Sequence, residues 1–220
     1  MSSNLTSVSI TLATADADGI FLSANPANNA TLTLDGALVT DGVAIMDVAR
    51  RIVVTSSADD SLIVFNFTGT DRSGNVQTES ILGSNASTAV TTKDFKTVTG
   101  VTITGNAGTI TIGTNGQASS AWIPTNHAKS ANIGFGVELS RTNGAVSAAL
   151  TYTVEHTFHN LQSSPTARQS AIAYAHDDVA SETTEQDGNY AFGISATRLT
   201  LNAFTSGTAT MNIVFGLGGM

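Results

Sequence analysis

The sequence predicts an all-β protein: an antiparallel, jelly-roll-like β-sandwich fold arranged as two tandem domains. Three observations carry this expectation. Apolar residues recur at every second position along most of the chain, turn dipeptides interrupt them at short intervals, and 33 Thr with 23 Ser make up about a quarter of the 220 residues. Alternation of this kind puts aliphatic and β-branched side chains on one face of a pleat and hydroxyls on the other.

Taken in order, Val8, Ile10 and Leu12 alternate with Ser7, Ser9 and Thr11. Leu32 and Leu34 alternate with Thr31 and Thr33, and Val101 and Ile103 with Thr102 and Thr104. The strongest run sets Leu150, Tyr152, Val154, His156 and Phe158 against Ala149, Thr151, Thr153, Glu155 and Thr157, which predicts a long central strand with His156 and Phe158 on its inward side. Asp18-Gly19, Asp35-Gly36, Asp41-Gly42, Asn143-Gly144, Asp187-Gly188 and Ser206-Gly207 read as turns that tolerate positive φ, and residues 71–75 form a longer loop between the runs 62–70 and 76–82. Residues 133–140 are expected to form a hairpin with 146–158 around Asn143-Gly144, and residues 196–204 with 208–215 around Ser206-Gly207. Only 43–51 and 163–175 have room for a helical turn, the second reading better as a loop. The polar stretch 114–120, followed by Trp122-Ile123-Pro124, places a boundary there and predicts an N-terminal domain over 1–118 and a C-terminal domain over 119–220.

Composition excludes several functions. A net charge of −8, with 9 Lys and Arg against 17 Asp and Glu, argues against nucleic acid as a partner, because phosphate binding needs clustered cations. The absence of cysteine removes disulfides, thiolate chemistry and Cys-ligated zinc. No apolar run is long enough for a membrane helix, and the first residues lack the basic and apolar regions of a secretory signal. Charged residues are only 12% of the chain while 41% are hydrophobic, and the mean hydropathy is +0.11, so a packed core is expected with a surface solvated chiefly by hydroxyls and amides.

The titratable residues suggest no reaction. His156 and His159, with Glu155 beside them, would share a helix face, but on a strand they point to opposite sides and read as packed or interface histidines. His127 and His176 fall in loops, His176 next to Asp177 and Asp178. The pairs Asp16/Asp18, Asp59/Asp60 and Asp177/Asp178 and the group Glu182, Glu185 and Asp187 lack EF-hand spacing; they read as Asx turns, with a loose loop calcium site as the alternative. Nucleophile-elbow, metalloprotease, P-loop and dinucleotide motifs are absent. The expectation is therefore a non-enzyme with no catalytic, cofactor-binding or metal residues and no cofactor. Arg50, Arg51 and Arg198 are cations embedded in apolar strand regions, and at least one is expected to pair with a carboxylate or a neighbouring subunit. Lys93, Lys96 and Lys129 are the only lysines available to guard sheet edges.

Two regions carry a family resemblance. Residues 65–79, FNFTGTDRSGNVQTE, followed by 91–101, TTKDFKTVTGV, resemble a pattern in virion structural proteins of tailed bacteriophages: a strand, a G-T-D-x-x-G-N loop, a strand, then an F-K-T-V-T strand. Residues 151–158, TYTVEHTF, with Asp187-Gly188-Asn189-Tyr190-Ala191-Phe192 and 196–201, ATRLTL, resemble the C-terminal part of the same group. Where such proteins are expected to carry an aromatic-plus-His pairing, this chain has Ile172-Ala173-Tyr174-Ala175-His176. The resemblance implies a capsid decoration or cement protein acting as a homo-oligomer in the virion, assembled in the bacterial host cytoplasm. Its implied partners are copies of itself and the major capsid protein or other virion proteins, without nucleic acid or membrane. Its terminal segments, 1–4 and 216–220, would gain order on a neighbour. A tail or head–tail component is the alternative within this class. A host-surface or carbohydrate-binding module is the alternative outside it, disfavoured because a single Trp and 6% aromatics, most at inward positions, are poor material for a sugar platform.

Overall fold

The computed structural model describes residues 5–125 and 132–215. His127, Lys129 and both terminal segments, 1–4 and 216–220, lie outside the described residues. The protein is all-β, 54% strand, with antiparallel sheets of sandwich type. Among the described residues the one helical element is the 3-10 turn Ala167–Gln169, inside the segment 163–175, which is otherwise loop until the short strand at Tyr174–Ala175.

The chain divides into two units, one made of Ala13–Ala118 and the other of Met1–Leu12 with Ser119–Met220. The N-terminal residues therefore belong to the C-terminal unit instead of to a domain over 1–118. The reason is a ladder: β1 (Leu5–Ile10) pairs antiparallel, without a register break, with the last strand of the chain, from Leu5 opposite Val214 to Ile10 opposite Ala209. Periodicity finds such a strand but says nothing of its distant partner.

The unit 13–118 holds two sheets. One orders β2 (Phe21–Ala24), β10 (Ile110–Thr114), β5 (Ile52–Ser56) and β8 (Thr88–Val90). The other orders β3 (Val39–Thr40), β4 (Val43–Arg50), β9 (Phe95–Ile103), β6 (Val64–Thr70) and β7 (Val76–Leu82). Phe65, Phe67 and Phe95 of the second sheet share one core with Ile52, Ile110 and Ile112 of the first. Leu32 and Leu34 are buried in that core without forming a strand; the Leu32 N–H donates to the Val101 carbonyl at 2.9 Å, and only Thr31 bridges Thr102. Asp41 and Gly42, both at positive φ, turn β3 into β4 as the D-G pair predicts.

Residues 43–51 hold no helical turn, because β4 pairs with β9 and β5 with β10. The β4–β9 ladder breaks between Ile45 and Arg50, and the Lys96 ammonium fills the gap by donating to the Met46 and Asp47 carbonyls at 2.6 and 3.1 Å. Arg50, 2% exposed, points inward from the end of β4. Its Nη1 donates to the Ala13 carbonyl at 3.0 Å and to Asp47 Oδ1 at 3.1 Å, and its Nη2 donates to the Asn115 carbonyl. One guanidinium thus joins the first residue of this unit to its last loop. Burial alone would raise the Asp47 carboxyl, but the N–H groups of Ala13 and Val48 and the Arg50 charge outweigh it and hold Asp47 below the usual carboxylate value.

The other unit also holds two sheets. One orders β1, β20 (Ala209–Phe215), β13 (Ile133–Leu139) and β18 (Gln186–Tyr190). The other centres on β19 (Ala196–Ser206) and β16 (Ala149–Thr157), with β17 (Tyr174–Ala175) beside β16 and the short β11 (Ala118–Ser119) and β12 (Ile123–Pro124) beside β19. Both expected long hairpins are absent. Residues 133–139 and 149–157 lie in different sheets, as do 196–206 and 209–215, so both connections are corners. Ser140 binds the corners together: its N–H donates to the Thr208 carbonyl at 2.9 Å, its Oγ accepts from the Thr208 N–H at 3.1 Å, and its carbonyl accepts from the Ser147 N–H at 2.8 Å. Gly207, at φ 101°, passes so close to Ala148 that a Cβ would lie 2.5 Å from the Ala148 Cα. Asn143-Gly144 closes only a small hairpin of β14 (Arg141–Thr142) and β15 (Ala145–Val146).

Candidate functional site

At one end of β16 the chain gathers five aromatic rings and two imidazoles. His156 lies on the core face of β16 with Tyr152 and Val154, as alternation requires, and is 8% exposed. Phe158 follows two residues later, but the strand ends at Thr157 and the Phe158 ring is 52% exposed, contrary to its expected inward placement. Tyr174 reaches the site because β17 places it opposite His156, and Tyr190 because it ends β18 opposite Ile133. Phe192 follows Tyr190 by two residues and is 53% exposed, while Tyr174 is 45% exposed.

The rings are in mutual contact. His156 stacks on Tyr174 with centroids 5.7 Å apart and meets Phe158, Tyr190 and Phe192 at 5.4, 5.1 and 5.7 Å in edge-on arrangements. Phe158 and Phe192 lie near-parallel at 6.2 Å. Deeper in the unit, His176 meets Phe135 and Tyr190 edge-on, each at 5.0 Å. Gly188, expected in a turn, lies within β18 instead, where a Cβ would stand 2.7 Å from the Phe135 ring; the glycine serves close packing under these rings. Edge-on and offset contacts each contribute about 0.5–1.5 kcal/mol beyond the area they bury, so the rings brace one another, with three of them facing solvent.

The two imidazoles are held differently. His176 Nδ1 accepts the Asp178 N–H at 3.2 Å, so its proton resides on Nε2, which donates to the Asn189 carbonyl at 3.2 Å. The Nδ1 of His156 is buried without a hydrogen-bond partner among the described residues. Burial first, and the neighbouring His176 second, push His156 below the usual imidazole value, with Asp177 acting in the opposite direction. Burial pushes the Tyr190 phenol up to about 12, with the Glu155 charge adding to the rise and the Thr197 hydroxyl opposing it.

The opposite face of β16 carries an ionic group. Arg198 Nε donates to Glu155 Oε2 at 2.7 Å, the Thr200 hydroxyl donates to the same oxygen at 2.7 Å, and the guanidinium lies 4.4 Å from the Trp122 ring centroid. Leu161 and Ala196 complete the packing around Trp122. The expectation that an embedded arginine pairs with a carboxylate is met three times, by Arg198–Glu155, Arg50–Asp47 and, more loosely at 3.9 Å, Arg51–Asp94.

His159 stands apart from His156, its N–H donating to Thr157 Oγ1 at 3.2 Å. Asp71 forms an Asx turn within the expected loop 71–75: Oδ1 accepts the N–H groups of Ser73 and Asn75 at 2.8 and 3.0 Å. Asp59 likewise accepts from Ser61. Among the described residues no group of three or more His, Asp or Glu side chains converges on a point suited to a metal ion. A shallow depression of about 330 Å³ lies where β16 and β19 shift register, lined by Leu150, Thr151, Phe204 and Thr205 among others, none of them titratable. Sequence reasoning missed Tyr174, Tyr190 and Phe192 as one site. The available signal was three ring-x-ring pairs, His156-x-Phe158, Tyr174-x-His176 and Tyr190-x-Phe192, at the two-residue spacing that shares a strand face.

Comparison of the chain with protein-family models, with curated proteins and with solved structures returns no match.

Proposed function

We propose that this chain is a bacteriophage virion structural protein that acts by surface association, as a decoration or cement protein bound to the capsid, with copies of itself and a shell protein as partners. The observation that carries the reading is the patch formed by Phe158, Tyr174 and Phe192. Three large rings, about half exposed, sit together on the buried rings of His156 and Tyr190, as the exposed aromatic cluster among the described residues. Interface hot spots are built of such aromatics, clustered and preorganised, with charge depleted at their centre. The resemblance of residues 65–79, 91–101 and 151–158 to phage virion proteins supports the setting, and the low charge content lets sheet faces pack without desolvating many ions.

The test adds purified protein to expanded capsids. Bound protein that raises capsid melting, with binding lost in a Phe158→Ser/Phe192→Ser variant, supports the reading; unchanged capsid melting with labelling of the tail moves the protein to the tail or head–tail class. The same patch gives a host-glycan module more weight than composition allowed, since exposed rings are what a sugar platform needs. A glycan array with binding abolished by the same double variant would favour that second reading.

A further inference from the structure

We propose that β1 is the self-association edge of this protein, pairing antiparallel with β1 of a second copy to continue the sheet across a twofold axis. This rests on the reading that the protein functions through contacts with its own copies.

Sheet edges expose unpaired N–H and C=O groups, and folded chains guard them with lysines, charges, bulges or brevity. The other edges in this protein are guarded in those ways. β7 is gripped along its side by the segment after β8: Glu79 accepts the N–H groups of Thr92 and Lys93, and the Lys93 ammonium donates to the Thr78 carbonyl at 2.8 Å. β18 carries Asp187. The remaining edge strands β2, β3, β8, β11, β12, β14, β15 and β17 span two to four residues each, and β19, where it runs past β11 and β12, is broken by the register shifts of its ladder with β16. Only β1 is six residues long, regular in register and free of charge, proline and bulge, and it bonds a neighbour on one side alone among the described residues.

The chemistry of β1 favours a copy of itself. In a chain of net charge −8 most surfaces repel their own image, yet neither β1 nor β20 contains a charged residue. A twofold perpendicular to the sheet sets residues of like parity opposite one another, because directly paired residues share a face. With the axis at Val8, Ser7 of one copy faces Ser9 of the other, and Thr6 faces Ile10. The hydroxyl ladder already present within the sheet, Ser9 with Thr210 at 2.9 Å and Thr11 with Thr208 at 2.6 Å, then runs on into the second copy. Ser7 and Ser9 are exposed, so hydroxyl contacts there displace only water.

Sedimentation velocity over a range of concentrations, together with hydrogen exchange of the full chain, tests this. The wild type should dimerise, with the alternate amides of residues 6–10 that face away from β20 protected in the dimer and exchanging in the monomer, and those already bonded to β20 protected in both. A Ser7→Lys/Ser9→Lys variant sets like charges opposite across the axis and should weaken the dimer at least about tenfold, while Ser7→Thr/Ser9→Thr retains it. Unchanged melting of the lysine variant at high dilution shows that its fold is kept. A wild type that stays monomeric at about 100 µM, or a lysine variant that dimerises as tightly as the wild type, overturns the proposal. Capsid binding, scored separately on the same proteins, decides the virion reading whichever way the dimer falls.

Discussion

Arg198 and Glu155 face each other across β19 and β16 at 2.7 Å, with side chains only 16% exposed and the Trp122 ring closing the guanidinium from the other side. A solvated strand-end arginine would add almost nothing to stability. Here removal of either partner leaves the other charge in a largely dry site. Arg198→Ala should therefore cost about 2–4 kcal/mol in urea unfolding, and Arg198→Ala/Glu155→Ala together should cost less than the sum of the two single changes. A cost under about 0.5 kcal/mol would return Arg198 to the solvated class.

Arg50 is expected to be the most sensitive charged residue of the unit 13–118. Arg50→Met removes three donors from the Ala13 and Asn115 carbonyls and from Asp47 while keeping most of the volume, and should destabilise by about 3–5 kcal/mol. Because Asp47 sits below its ordinary carboxylate value, its share of stability is complete above that ordinary value and is lost as pH falls through the folded one. The acid limb of the wild-type stability curve should flatten in Asp47→Asn.

His156 sets a second pH dependence, at higher pH. Its folded pKa is depressed, so above the ordinary value of 6.5 both states are neutral and nothing is lost. Below 6.5 the unfolded chain takes up a proton that the folded site resists, and stability falls until the folded pKa is reached. His156→Phe should remove this slope below pH 6.5, as read from chemical denaturation at stepped pH. An identical slope in the variant would assign it to another group.

The outer and inner rings of the aromatic site should separate in mutational cost. Phe158→Ser and Phe192→Ser truncate half-exposed rings and should each cost under about 1.5 kcal/mol, whereas Tyr190→Ala empties a buried position between Phe135 and His156 and should cost about 3–5 kcal/mol. Differential scanning calorimetry of the three variants checks the order. Equal losses would mean that the exposed rings belong to the core.

Where burial follows directly from the two-residue period, the fold is legible from the residues. Val8 to Leu12 and Val101 with Ile103 alternate as their spacing demands, and Asp41-Gly42 and Asn143-Gly144 turn at positive φ; Leu150, Tyr152, Val154 and His156 are buried as expected, but Thr153 between them is buried as well. Leu32 and Leu34 are buried as their alternation requires, although the segment forms no strand and only Thr31 bridges β9. Phe158 and Gly188 depart from expectation because a strand end and a neighbouring ring, both set by distant chain, decide what those residues meet.

The all-β class, the division beside Ser119 and the presence of embedded arginines are properties of local spacing and composition, so the sequence by itself determined them, whereas the hydroxyls expected on outer faces are buried at Thr153, Thr157, Thr197 and Thr200. The tertiary structure decided which strands pair, that β1 closes the far unit, that Ser206-Gly207 is a corner between sheets, and that Tyr174, Tyr190 and Phe192 meet His156. The physical reason is that an antiparallel ladder accepts any strand of suitable length and polarity. The choice among partners falls to core packing summed over residues far apart in the chain, and no window of sequence contains that sum.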